Sequence, residues 1–348
     1  MKRITSILVA GALGGFAGVA AAQQWPAMPE EPPTPEDNPT TEAKVELGKK
    51  LYFDPRISST GTVSCNTCHN VMEGGDDGRR TSMGVHGETG PRNAPTVWNA
   101  AFLSVQFWDG RADTLEDQAA GPIVNPVEMG MPDHAFTAER IGGIEGYREE
   151  FKEVFGSEEV NIERMTKAIG AYERTLLTPD TPYNNYVNGD EDAMTDKQLR
   201  GMETFKEVGC TSCHSGPAFA GPQMPLGTGF FQKFPTFEDN QYVEKYDLME
   251  DTGRHAATGN ESHKHMWRVP TLYNVELTAP YFHNGAVNSL DEAVRLMGKT
   301  QLNKELSDQQ VEDIVAFMGA LTANSFPDQE LPRVPSMSGK SSVLEYRP

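Results

Sequence analysis

Cations are scarce in this chain. Thirty of its 348 residues are lysine or arginine against fifty aspartates and glutamates, a formal charge of −20 at pH 7. A chain poor in Lys and Arg has little to offer phosphate oxygens, which argues against nucleic acid and anionic membranes as partners. Steered encounter with a basic partner fits better. Long apolar runs are missing as well: no stretch reaches the roughly 18 uninterrupted apolar residues that a membrane span needs. With 37% hydrophobic and 23% charged residues and a mean hydropathy of −0.52, the chain reads as soluble and globular, neither a membrane bundle nor disordered. Alternating strand patterns are few, and cysteines number only four. Glycine (33) and proline (24) are plentiful and predict long loops between modest helices. The length is too great for one compact core and suggests two domains.

The first residues look like an address. Lys2 and Arg3 precede a short apolar stretch from Ile7 to Val19, and Ala20-Ala21-Ala22 offers a small-residue cleavage site before Gln23. Residues 1–22 are expected to be a secretory signal peptide, and the mature chain, with a formal charge of −22, is expected in the periplasm, where disulfides are permitted. Residues 23–39 carry Pro26, Pro29, Pro32, Pro33, Pro35 and Pro39 and read as an extended, poorly ordered lead-in.

All four cysteines fall in two C-x-x-C-H units, Cys65-Asn66-Thr67-Cys68-His69 and Cys210-Thr211-Ser212-Cys213-His214. Two thiols three positions apart can each add across one vinyl group of a haem, and the following imidazole then lies under the iron. Two disulfides or zinc would also use these residues. Neither explains a histidine directly after the second cysteine in both units. The spacing therefore points to two covalently bound c-type haems.

The two units lie 145 positions apart, about one domain length. A helix is predicted over Glu42 to Phe53, carrying Val45, Leu47 and Leu51 and stopped by Asp54-Pro55. Another starts from the box Thr195-x-x-Gln198, carries Leu199, Met202 and Phe205, and stops at Gly209 just before Cys210. Ile162, Met165, Ile169, Tyr172 and Leu176 step by three and four along an amphipathic helix. Ser307-x-x-Gln310 caps a run with Val311, Ile314, Val315, Met318 and Leu321. The expected fold is mainly α: two cytochrome c-like haem domains with long loops and little β structure. Residues 40–180 would form the first domain and 181–335 the second, with 336–348 a C-terminal tail able to pack back on the first.

One haem per domain leaves two sixth coordination positions. His86 stands in a glycine-laden stretch (Gly74 to Gly90) that could bring a histidine to iron and release it; a solvated loop histidine is the plainer reading. His134, His255, His263, His265 and His283 compete for the role. A thioether suits a high-potential second haem. Met297 follows the capped start Ser289-x-x-Glu292 and shares a face with Leu290, Ala293 and Val294, yet it could equally be core, and Met266 and Met318 are rivals. Trp108 and Glu128 stand in a third cluster, Phe107-Trp108-Asp109-Gly110-Arg111 through Asn125-Pro126-Val127-Glu128-Met129, where spacing alone gives neither a role.

With those residues in hand, the chain closely resembles the bacterial di-haem cytochrome c peroxidases from about Leu47 to Leu321. The specific part is an ordered set: Asn93-Ala94-Pro95-Thr96-Val97-x-Asn99-Ala100, Phe107 to Arg111, Gln118-Ala119 and Pro122-Ile123-x-Asn125-Pro126-x-Glu128-Met129. Val269-Pro270-Thr271-Leu272, Thr278-Ala279-Pro280-Tyr281-Phe282-His283-Asn284-Gly285 and Leu296-Met297-Gly298 complete it. Trp267-Arg268 departs from the usual pattern, which has a smaller aromatic and often Lys. The resemblance implies His69 as proximal and His86 as resting distal ligand of the N-terminal, peroxidatic haem, with His86 displaced when the other haem is reduced. It implies Glu128 as acid/base with Gln118 nearby, Trp108 as an electron bridge, and His214 and Met297 as ligands of the high-potential haem. A calcium ion would be held by Asn93 and the carbonyls of Thr278 and Pro280. The implied reaction is hydrogen peroxide plus two reduced carriers and two protons giving two waters, with a small soluble cytochrome c or cupredoxin as donor, and the family commonly forms dimers. Two rivals share the scaffold: a di-haem electron-transfer cytochrome, and a maturation-type oxidase acting on a partner protein, which carries tyrosine where this chain has Met297.

Overall fold

The computed structural model describes residues 25–336; the expected signal peptide and nearly all of the expected tail lie outside them. Among the described residues are twelve α-helices and one short antiparallel pair, Phe231–Lys233 with Met266–Arg268. The mainly helical expectation is met, as are several helix ends. Glu42–Phe53 starts at Thr41, whose side chain accepts from the Lys44 N–H, and stops at Asp54. Asp196–Val208 carries the Thr195/Gln198 capping box and ends on Gly209 (φ 104°). Asp308–Ala320 carries the Ser307/Gln310 box, and Leu290–Leu302 starts from Ser289.

Two apolar cores form. Leu47, Leu51 and Tyr52 pack with Met165, Ile169 and Tyr172 in the first. Met202 and Phe205 pack with Ile314 and Phe317 in the second. Each core is built on one crossed helix pair, and a glycine sets each crossing. A Cβ on Gly48 would meet the Ala168 carbonyl oxygen at 1.8 Å, and one on Gly201 would meet that of Asp313 at 1.9 Å. Only glycine lets the backbones come that close. The first core runs to Leu176 and the second takes up the chain at Tyr183.

The halves repeat further along the chain. Pro95-Thr96-x-x-Asn99 and Pro270-Thr271-x-x-Asn274 stand 175 positions apart. Thr96 Oγ1 donates to Gly74 O and Thr271 Oγ1 to Ala218 O, both at 2.7 Å. Asn99 and Asn274 are left-handed (φ 62° and 60°), as are Phe107 and Phe282 (67° and 70°). Both asparagines donate to one buried hydroxyl, Thr178 Oγ1, at 2.7 and 3.0 Å. That residue is the hinge pin between the halves.

The chain ends cross over. The lead-in is extended but packed, not loose. Trp25 lies among Phe205, Phe219 and Phe317 of the second core, and Met28 N–H donates to Asn184 Oδ1 at 3.2 Å. Asn38, 1% exposed, then binds the Lys167 carbonyl of the first half at 2.9 Å. In the other direction, Phe326 packs edge-on to Trp98 and Arg56 Nη1 donates to Pro335 O at 2.9 Å. Proline composition suggested a poorly ordered segment; Trp25, Met28 and Asn38 instead fix it at three points.

Candidate di-haem site

Each C-x-x-C-H unit is a short helical turn, Cys65–Cys68 and Cys210–Ser212. His69 N–H donates to Cys65 O and His214 N–H to Cys210 O, both at 3.0 Å, so each histidine closes the turn that carries its thiols. His69 Nδ1 lies 2.9 Å from Pro95 O, and His214 Nδ1 lies 3.0 Å from Phe219 O. A carbonyl can only accept, so Nδ1 carries the proton and Nε2 keeps its lone pair for a metal. Burial holds both imidazoles below their ordinary pKa and therefore neutral.

All four cysteines are free thiols. Burial raises Cys68 to about 11 and Cys210 to about 12. These are apolar surroundings, unlike those of zinc thiolates, and no group of three or more His, Cys, Asp or Glu among the described residues could hold a metal ion.

Around the second unit an apolar cavity opens. Cys210, Cys213 and His214 share its walls with Met297, Phe234, Val269, Leu272 and Val294. Thiols, imidazole and thioether thus converge on one oily space, which fits a haem with His and Met ligands. Met318 lines it too, whereas Met266 does not. Asn93, Thr278 and Pro280, the expected calcium residues, are all among the residues lining this cavity.

The first unit faces different company. Pro122, in the helix Leu115–Val124, corresponds to Met297 at the 175-residue spacing, and proline has no ligand atom to offer. The His86 turn is pinned to the Glu128 segment: Val85 N–H donates to Glu128 O at 2.9 Å. A Cβ on Gly84 would stand 2.3 Å from the carbonyl oxygens of Val127 and Glu128, so this contact requires glycine. His86 itself is exposed, left-handed (φ 59°), and makes no hydrogen bond among the described residues. Burial raises the Glu128 pKa, while the Arg111 charge and Asn125 oppose it. The Glu128 charge is one of the smaller causes that raise the Cys68 pKa. Gln118, half-buried, lies in the Pro122 helix.

Trp108 joins the halves. Its indole N–H donates to Asn93 O and its carbonyl accepts from Arg268 N–H, both at 2.9 Å. The rival histidines are engaged locally: His134 with Ala120 O, His255 with Asn260 O, His263 with Thr258 and His265 with Asp251 O. His283 instead is buried, stacked 4.1 Å from Trp267, at the position corresponding to Trp108. Two features escaped the sequence reading: the long second repeat and the buried cation Arg268. Pro-Thr-x-x-Asn, present twice, was the available signal for the repeat.

This arrangement defines a chain with two haem-attachment motifs in unlike surroundings. The family model for di-haem cytochrome c peroxidase matches residues 42–192. The cytochrome c551 peroxidase of Nitrosomonas europaea is 44% identical over 93% of this chain and 92% of that protein. That of Pseudomonas aeruginosa is 41% identical over 89% and 87%. The crystal structure of a MauG-like protein associated with microbial copper homeostasis superposes with a TM-score of 0.74 at 27% identity, covering 87% of this chain and 96% of that one. The chain belongs to the di-haem cytochrome c peroxidase family, oxidoreductases acting on hydrogen peroxide.

Proposed function

We propose that this chain reduces hydrogen peroxide to two waters at its first haem pocket, in the periplasm, with electrons from a small soluble cytochrome c or cupredoxin. When bound, the haems supply electron storage and, in the first pocket, an iron position for the oxidant. His214 and Met297 hold the entry site, and Trp108 carries electrons onward. Its bonds to both halves support that route, since an electron crossing the interface meets a fixed aromatic ring. The strong negative charge favours a basic docking face on the donor.

Glu128 holds the proton that must move from the inner to the outer peroxide oxygen, so that water leaves. A half-buried carboxyl with a raised pKa, opposed by one arginine, can both accept and return it. Gln118 orients the substrate beside it. His86 would be the residue that holds the iron at rest and gives up that place once the other haem is reduced. Its left-handed backbone costs on the order of 1 kcal/mol, and its glycine-flanked turn gives it room to move. Asn93, with the carbonyls of Thr278 and Pro280, would hold a calcium ion.

The observation that carries this reading is the Val85–Glu128 hydrogen bond, which makes the His86 turn and the Glu128 segment one connected unit. The test is peroxide turnover with reduced cytochrome c. Glu128→Gln should lower it about 10²- to 10⁴-fold, with two haems per chain retained. His86→Gly should remove the need for pre-reduction; an unchanged need rules out His86 as the displaced ligand.

A further inference from the structure

Arg268 is 5% exposed, yet no carboxylate pairs with it. Nε donates to Phe107 O at 3.1 Å and Nη1 to Val269 O at 3.2 Å. Nη2 has no hydrogen-bond partner among the described residues. Asp109, the acid whose field reaches it, is already bridged to Arg92 and Arg111. Arg268 lines the cavity of Cys210, Cys213, His214 and Met297, and neither a carboxylate nor any second permanently charged side chain lines it. A buried cation left without a counter-charge is costly. The missing anion must therefore come with whatever fills the cavity. A haem brings two carboxylates, its propionates, and a guanidinium with a free N–H is suited to bind one.

We propose that Arg268 binds a propionate of the second haem and, through its charge, raises that haem's potential above the first. The inference rests on reading this cavity as the second haem site. The two halves differ here in the required sense. The position corresponding to Arg268 in the first half is the uncharged Asn93. A fixed positive charge in a low-dielectric cavity disfavours the ferric form, which carries one more positive charge than the ferrous. The electron is thereby drawn to the second haem, where the donor delivers it.

Potentiometric titration of the holoprotein, following each haem by its own absorption, tests this. Arg268→Gln keeps an N–H donor for the backbone carbonyls and removes the charge. The second haem's potential should fall enough to shift its electron equilibrium with a fixed donor about tenfold, about 59 mV for one electron. The first haem should move much less, and Arg268→Lys should restore most of the loss. Arg268→Met, apolar like the cavity, gives the same reading if the Gln variant folds poorly. An unchanged second potential, an equal fall at both haems, or no recovery with Lys overturns the proposal. Fewer than two haems in the parent chain, or a second haem without methionine ligation, would overturn the reading of the cavity itself.

Discussion

The two halves share a frame and differ in what that frame points at the metal. Both cross a glycine-notched helix pair, close a C-x-x-C-H turn on its histidine, and hold a Pro-Thr-x-x-Asn segment against it. At the 175-residue spacing the second half has Met297 and His283 where the first has Pro122 and Trp108, and five positions past the notch carbonyls of Asp313 and Ala168 it has Met318 where the first has Glu173. Methionine closes an iron; proline cannot. On the proposed function, the first pocket would be left open by withholding a ligand from a repeated scaffold, with its space given to Glu128 and His86.

The sharpest way to break that contrast is to restore the ligand. Pro122→Met should give the first pocket the second pocket's coordination. Peroxide turnover should fall roughly a hundredfold or more, because a Met-bound iron is competent only in its rare unbound fraction. The half-reduced protein should also stay low-spin. Full turnover with a high-spin half-reduced form would show that the two helices do not present corresponding positions to their irons.

Chemistry tied to contiguous residues was legible from the sequence. Cys65 to His69 declares its cofactor because covalent attachment fixes the spacing. The Glu42–Phe53 helix shows itself through its apolar steps and the Asp54-Pro55 stop. Met297 did not stand out among fifteen methionines, because which of them line the second cavity is decided by where a distant helix lands. The second repeat was hidden by a change of period. The haem units recur after 145 positions but the Pro-Thr-x-x-Asn segments after 175, because residues 215–267 form a longer insert than residues 70–92. Trp25 and Met28 carried no periodic signal, so the prolines around them spoke for a looseness that tertiary contacts remove.

Smaller in effect, the shared frame can be tested at its two notches. Gly48→Ala and Gly201→Ala each drive a Cβ into a facing carbonyl, at Ala168 and Asp313. Each should cost about 1–3 kcal/mol as the helices separate, read as a lower unfolding midpoint in the helical dichroism band. Similar losses confirm equivalent crossings. A neutral substitution at one glycine only would mean that one pair can slide apart and the other cannot.

The mildest difference lies at Glu173, which holds in the first half the place Met318 holds in the second. Glu173 is 5% exposed, and its Oε2 has no hydrogen-bond partner. Burial is the main cause, and Glu116 a further one, of a pKa raised from 4.5 to about 8, with Arg174 opposing. Tyr52, Tyr172 and Cys65 are the other titratable groups that feel its charge. The folded chain therefore keeps a proton that the unfolded chain releases above about 4.5. This stabilisation is complete below that pH and is lost as pH rises towards 8, by up to about 1.4 kcal/mol per unit. Glu173→Gln should flatten the slope of unfolding free energy between pH 5 and pH 8, and Met318→Gln should leave it in place. An unchanged slope in the Glu173 variant would mean that the carboxyl finds a partner or water when it ionises, and that the first core is as indifferent to pH here as the second.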